Sequence, residues 1–243
     1  METFQLSEKL LKKIANLILA KKNTPLKKIV KDIHFADMAE IINELNEDQG
    51  VYLIKLFDSE KTSEILTELD EDVREKILKV LSVKEIADEI EELDSDDAAD
   101  ILGELSEKRK EEVISEISDN DLADDLKELL SYKEDSAGGL MAKELVQANE
   151  NWSVTKCLKE IKKQGENVTR VHSIYVVDDK QKLIGRLSLK DLITSPAKNL
   201  IKDIYIPKVD SVNVFEDGEE VAKIMSKYDL EAIPVVDNKK QLV

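Results

Sequence analysis

The chain has 243 residues, an apolar content of 42%, a formal charge of -17 and a single cysteine. That apolar share is enough for one or two real cores and excludes disorder throughout. The acidic excess excludes a phosphate-binding surface of clustered Lys and Arg, hence nucleic acid, and points to cations or basic proteins as partners.

Near the N-terminus Leu10, Leu11, Ile14, Leu17 and Ile18 are interrupted by Lys9, Lys12 and Lys13. This is an amphipathic helix, not a signal peptide. No window approaches the roughly 20 apolar residues a membrane span needs, so no direct membrane insertion by this chain is expected.

From Ile33 every twelfth residue is apolar: Ile33, Leu45, Phe57, Leu69, Leu81, Leu93, Leu105, Ile117 and Leu129. The series from Val30 to Leu126, three residues earlier, is apolar as well. Positions i and i+3 share a helix face, so each unit presents one apolar stripe. Asn46, Asp58, Asp70, Ser82, Asp94, Ser106 and Ser118 each follow a member of the first series, and all are good N-cap residues. Each unit therefore reads as a short helix that ends at the apolar residue and is restarted by a cap. Helices this short need neighbours, and a tandem series of them implies an all-helical superhelical solenoid from about Val30 to Leu130. A coiled coil would need a seven-residue period, which is absent.

No Lys or Arg occurs between Lys84 and Lys108. Within that acidic run Asp96, Asp100 and Glu104 recur at i, i+4 and i+8, predicting one carboxylate face without a basic partner nearby in sequence. Acids in a first turn also favour the helix dipole, which accounts for Asp96 and Asp97 but not for Asp100 and Glu104.

From Tyr132 the texture changes. Gly138-Gly139 marks a tight turn without the spacing of a phosphate loop. Then come a Ser-capped helix at Ser153 to Lys163, strands at Ser173 to Val177 and Leu183 to Leu187, and a helix starting at Ser188. The pattern repeats with a strand at Val212 to Phe215, a helix at Asp217 to Tyr228 and a strand at Ala232 to Asp237. The second copy keeps register as far as Leu242 and lacks a counterpart of Gly185, Ser188 and Asp191. The reading is a piece of a longer polypeptide ending inside a domain.

The Val-Val-Asp strand ends and Gly185-x-x-Ser188-x-x-Asp191 resemble a pair of CBS motifs. Joined to the solenoid, with Ala137-Gly-Gly-Leu-Met141 and Tyr228-Asp-Leu-x-Ala-Ile-Pro-Val-Val-Asp237, the chain resembles the cytosolic half of MgtE magnesium channels. The implied fold class is α+β: a helical superhelical N-domain over 1–132, then an α/β CBS pair over 133–243. Its first motif covers about 138–199, and its second, incomplete, about 200–243. The resemblance further implies Mg²⁺ sensing that favours a closed pore, a homodimer through the CBS domains, and a transmembrane pore domain in the same parent at the cytoplasmic face of the membrane. The positions matching its sensing residues are Glu64, Asp96, Asp100, Gly139, Asp217, Glu219 and Asp229. Mg²⁺ keeps most of its waters and needs only one or two carboxylates or carbonyls, so scattered acids suffice.

Two rivals stand beside this reading. CBS modules can hold ATP or AMP through the Ser and Asp of the motif, here Ser188 and Asp191, although Ser188 also suits a helix cap. A solenoid can also be a plain protein-binding scaffold. An enzyme is not indicated: His34 falls at a cap, His172 precedes a strand, and neither lies in a nucleophilic or zinc motif. Cys157 reads as a buried structural thiol in a reducing compartment, Trp152 as a packing anchor, and Asn167-Val-Thr169 as a chance glycosylation pattern.

Overall fold

The computed structural model describes residues 4–165, 168, 170, 171 and 173–243. Asn167 and Thr169 of the Asn-Val-Thr pattern, and His172, lie outside the described residues. The chain divides into two compact units: Met1–Leu93 with Asp97–Leu126, and Asp94–Asp96 with Lys127–Val243.

The first unit is helical. It comprises α1 (Glu8–Leu19), α2 (Asn23–Val30), α3 (Phe35–Asn43), α4 (Glu47–Ile54), α5 (Ser59–Glu68), α6 (Glu71–Val80), α7 (Val83–Ile90), α8 (Ser95–Gly103), α9 (Glu107–Glu116) and α10 (Asn120–Leu129). Several caps work as their residue types require, whereas among the described residues Asp70 and Ser106 sit at N-caps without a side-chain cap bond. Asn46 and Ser82 form reciprocal capping boxes with Gln49 and Glu85, Asp58 accepts from the Lys61 amide, and His34 Nδ1 accepts from the Ala36 amide. One cap is displaced: Asp119, not Ser118, accepts from the amides of Asp121 and Leu122, so α10 begins a residue later than the beat predicts.

The earlier of the two apolar series is the core. Val30, Ile42, Ile54, Leu66, Leu78, Ile90, Leu102 and Leu126 are all buried. Ile114 is its exception, half-exposed while its neighbour Val113 is buried. In the series from Ile33, Leu69, Leu81, Leu105, Ile117 and Leu129 are buried, but Ile33, Leu45, Phe57 and Leu93 only half so. Helices pack on their second neighbours, α3 on α5, α5 on α7, α7 on α9 and α4 on α6. The structural repeat is therefore the helix pair, twice the sequence beat, and it builds a two-layered solenoid.

In this stack two buried-end cations serve as spacers. Lys61 Nζ donates to the carbonyls of Val30, Lys31 and Ile33 at 3.1, 3.2 and 3.0 Å. Arg109, at the matching position two helix pairs later, donates to those of Leu78 and Leu81. Both satisfy carbonyls orphaned at the end of an earlier helix. Burial lowers the Lys61 pKa, against the pull of Asp58 and Asp32.

The second unit is α/β. Strands β1 (Val146–Asn149), β2 (Ile174–Val177), β3 (Leu183–Leu187) and β4 (Ile206–Pro207) form a sheet in that order, β1 parallel to β2 and the others antiparallel. Helix α11 (Val154–Gln164) crosses from β1 to β2, and α12 (Leu189–Thr194) follows β3. A second βαβ unit has β5 (Val212–Asn213), α13 (Gly218–Tyr228) and β6 (Val235–Val236), with β5 parallel to β6.

The internal repeat is visible in hydrogen bonds. Asp178 accepts from the amides of Lys180 and Lys182, and Asp237 from those of Lys239 and Gln241. Gln181 and Lys240, at equivalent places, are both left-handed, with φ of 61° and 64°. Cys157 is fully buried among Val146, Val154, Ile174 and Leu192, and desolvation pushes its thiol up to about 11. Trp152 packs on the same core, with Lys156 over its ring at 4.7 Å.

Candidate metal centre

The segment after the solenoid lies antiparallel along the start of the second βαβ unit. The Ala137 amide donates to Glu216 O at 2.8 Å, that of Gly138 to Val214 O at 2.9 Å, and that of Gly218 to Asp135 O at 2.8 Å. Ser136 and Asp217 form a β-bridge. This close backbone approach explains the glycines. A Cβ on Gly138 would stand 2.7 Å from the Tyr132 ring, one on Gly139 2.2 Å from the Lys133 carbonyl oxygen, and one on Gly218 2.9 Å from the Asp135 carbonyl oxygen.

The pairing brings four carboxylates to one place. Glu134 and Asp135 from the segment and Asp217 and Glu219 from the start of α13 line a concavity of about 620 Å³, together with Leu140 and Gly218. Asp217 caps α13 by accepting from the amides of Glu219 and Glu220 at 3.0 and 3.3 Å. Asp217 and Glu219 were expected from the sequence, and Gly139 lies in the turn beside Leu140. Glu134 and Asp135 were missed. Their signal was present as an acidic pair just before a Gly-Gly turn, but only the strand-like pairing with Asp217 gives it meaning.

Asp229 does not join this group. It closes α13 in a left-handed conformation, φ 52°, at the far end of an 11-residue helix, about 16 Å long at the usual rise. No ion with oxygens at about 2.1 Å spans that distance, so Asp229 belongs to a separate locus.

On the helical unit Glu64 lies on α5 in a concavity shared with His34, Asp58, Glu60 and Lys61. Asp100 is exposed on α8, and Asp96 is half-buried in the short stretch that groups with the second unit. In that stretch the Ser95 hydroxyl contacts Glu144 at 2.8 Å, and burial raises the Glu144 pKa despite this bond. The predicted continuous face of Asp96, Asp100 and Glu104 is not formed. Helix α8 ends at Gly103, and Glu104 is bound by the Arg74 guanidinium from α6, both side chains largely buried. The cation missing from the local sequence is supplied thirty residues upstream by the solenoid.

Ser188 and Asp191 satisfy one another. The Ser188 hydroxyl donates to Asp191 Oδ2 at 2.6 Å and accepts from the Asp191 amide at 3.0 Å, capping α12. Gly185 of β3 has the Tyr205 ring and the Ile206 carbonyl where a Cβ would be.

Among the described residues no three or more His, Cys, Asp or Glu side chains lie close enough together to hold a metal ion directly. The donors around Gly218 are all hard oxygens on an open surface. That set fits Mg²⁺ held largely through its own waters, and it does not fit a dehydrated or soft ion.

Comparison with known proteins bears on both units. The MgtE intracellular N domain model matches residues 33–135, and the CBS domain model matches 137–198 and 201–243. The magnesium transporter MgtE of Thermus thermophilus is 41% identical over 112 residues, which are 46% of this chain and 25% of that protein. That of Enterococcus faecalis is 37% identical over 108 residues, 44% of this chain and 24% of that protein. The matches thus span about a quarter of these relatives' length. Among solved structures, the cytosolic domain of the Mg²⁺ channel MgtE in complex with ATP has a TM-score of 0.86 at 30% identity, covering 96% of this chain and 95% of that one. The soluble part of a magnesium transporter has a TM-score of 0.79 at 26% identity, covering 97% and 93%.

Proposed function

We propose that this chain, which belongs to the MgtE family of magnesium transporters and matches its cytosolic domain over nearly its whole length, is a Mg²⁺-responsive regulatory region. The observation that carries the reading is that Glu134, Asp135, Asp217 and Glu219 line one open concavity beside Gly218, wide enough for a hydrated ion, with no Lys or Arg among the lining residues. Four carboxylates gathered this way repel one another and lower that cost by sharing a divalent cation. Glu64 and Asp100 on the helical unit, with Asp96, the Gly139 carbonyl and Asp229, complete the proposed set of weak sites.

The regulatory logic follows from differential affinity. A state in which acidic surfaces of both units face one shared ion gains from Mg²⁺, and a state in which they are apart does not, so rising Mg²⁺ shifts the population toward the former. In a full-length parent that compact state would favour a closed pore, acting through a CBS-mediated homodimer and the transmembrane domain. The exposed Leu189 and Ile193, one turn apart on α12, offer apolar area for such a dimer. Among the described residues no helix is long and apolar enough to cross a membrane.

Calorimetric titration with Mg²⁺ tests the site. Millimolar binding that falls in Asp217→Asn and Glu134→Gln is expected, and binding unchanged in both would refute the assignment.

A second reading is supported by the neighbour crystallised in complex with ATP: an adenine nucleotide, ATP or AMP, held near Ser188 and Asp191. Asp191→Asn should weaken ATP binding while leaving the Mg²⁺ titration intact; equal ATP affinity in that variant would remove Asp191 from the site.

A further inference from the structure

The first 31 residues carry eight of the chain's 36 basic residues and two of its 53 acidic ones, a net of +6, which leaves -23 for the remainder. They lie outside the residues that the family model matches. All eight lysines, Lys9, Lys12, Lys13, Lys21, Lys22, Lys27, Lys28 and Lys31, are exposed on the α1–α2 hairpin or its flanks. Among the described residues only Lys12 is ion-paired, to Glu8 at 2.9 Å.

The hairpin gathers four of these charges, Lys9, Lys12, Lys13 and Lys22, along one groove. Ile14 and Ile18 of α1 and Leu26 and Val30 of α2 are buried, so the apolar stripe of α1 is used in folding. Lys9, Lys12, Lys13, Asn16 and Ala20 recur at i, i+3, i+4, i+7 and i+11, the spacing of a single helix face, and with Leu17, Lys22 and the one acid Glu8 they line an open groove of about 720 Å³. At the tip of the hairpin Leu19 is 72% exposed. It is followed by Lys21, held left-handed at φ 50°, and Lys22. A leucine projecting between lysines at a turn is unexplained by the packing of the solenoid.

We infer that the α1–α2 hairpin is a docking surface for an anionic, phosphate-bearing lipid surface, its lysines facing headgroups and Leu19 entering the headgroup layer without spanning. Three considerations select this occupant. The surface is a broad, open spread of point charges, which suits a plane of phosphates better than a single anion. The projecting apolar tip has a use at a lipid interface and none against an acidic protein face. The hairpin also occupies one end of the solenoid, α1 touching α2 and α4; with helices packed 8–10 Å apart, most of the acidic repeats lie beyond the roughly 10 Å screening length at 0.1 M salt. The proposal rests on the preceding section only for the parent's membrane attachment, and it can fail or hold without Mg²⁺ sensing.

Vesicle flotation of the intact chain tests it, using phosphatidylglycerol-containing and pure phosphatidylcholine vesicles in EDTA. Binding to the anionic vesicles alone is expected, decreasing as salt is raised. At about a factor of five per lysine near such a surface, replacing Lys9, Lys13, Lys21 and Lys22 by Gln should lower partition by roughly 600-fold. Leu19→Ser should lower it a few-fold with the salt dependence unchanged. Circular dichroism checks folding, which these exposed positions should not disturb. Equal binding to both vesicle types, no binding to either, or salt-sensitive self-association of the chain in place of flotation would each overturn the inference.

Discussion

Glu89 of α7 occupies the place that Ile65 occupies on α5, 24 residues earlier. The same register position holds Ile41 on α3 and Val113 on α9, and all three aliphatic side chains are fully buried. A carboxylic acid therefore stands in a core position, and its Oε2 is buried without a hydrogen-bond partner among the described residues. Asp88, Glu85, Glu92 and Asp58 surround it at longer range. The cations on adjacent elements have other partners: Lys55 pairs with Glu85, Lys61 donates to carbonyls, and Lys108 and Lys110 pair with Glu112 and Glu107. Arg109 donates to carbonyls through Nη2, while its buried Nε has no hydrogen-bond partner among the described residues. Desolvation, helped by those acids, pushes the Glu89 carboxyl up to about 8.

The consequence is a pH-dependent stability of the helical unit. A carboxyl with a raised folded-state pKa binds its proton more tightly when folded. Its contribution is thus intact below the ordinary carboxylate range near 4.5 and lost as pH rises through about 8. Urea unfolding near pH 6 and pH 9 should show the native chain losing about 1–2 kcal/mol more than Glu89→Gln, after allowance for the solvent reaching this half-exposed group. Parallel pH profiles for the two proteins would show that Glu89 does not titrate in this window.

The carbonyl-collecting cations make a second prediction. Replacing Arg109 by Met keeps the aliphatic stem and strands the Leu78 and Leu81 carbonyls, so chemical denaturation should report a loss of about 1–3 kcal/mol. Lys61→Met should behave alike, through the carbonyls of Val30, Lys31 and Ile33. A change within a few tenths in both would mean that water satisfies these groups.

The glycines of the turn separate backbone fit from charge. Gly139→Ala drives a Cβ into the Lys133 carbonyl, against backbone that cannot swing away, and should destabilise the second unit by about 2 kcal/mol or more. In Gly103→Ala the Cβ meets nothing within 4 Å, and at this last residue of α8 the change favours the helix by a fraction of the roughly 1 kcal/mol it is worth in a helix interior. Thermal unfolding of the two variants should move in opposite directions.

Much of this architecture was readable in the sequence because short-range rules govern it. The apolar beat and its caps foretold most of the solenoid helices, and Leu183 to Leu187 is β3 residue for residue. What was not legible depends on long-range pairing. Strand β1 alternates apolar and polar residues over only four positions and β4 has two residues, too short to stand out, so they emerge only from partners in β2 and β3. Glu104 looked like an unpaired acid because Arg74 reaches it from another helix, and Glu134 and Asp135 gained significance only when their segment paired with α13. Asp229, a sensing position implied by the family resemblance like Asp217, stands at the opposite end of α13 from it.

Asp217 has two roles that substitution can part. Asparagine keeps a side-chain acceptor for the Glu219 and Glu220 amides, whereas alanine removes it. Asp217→Ala should lose about 1 kcal/mol of stability from the cap together with Mg²⁺ affinity, and Asp217→Asn only the affinity. Thermal melts in EDTA and in Mg²⁺ would read both effects, and equal Mg²⁺-induced shifts in Asp217→Asn and the native chain would exclude Asp217 as a cation ligand.

The central claim is that Mg²⁺ draws acidic surfaces of this chain together, and small-angle scattering of the isolated chain measures it most directly. In EDTA at fixed ionic strength the radius of gyration should be at its largest. It should fall on addition of millimolar Mg²⁺, and the fall should be absent with K⁺ at equal ionic strength and smaller in an Asp96→Asn, Asp100→Asn, Asp217→Asn variant. A radius of gyration identical in EDTA and in Mg²⁺ would contradict the account.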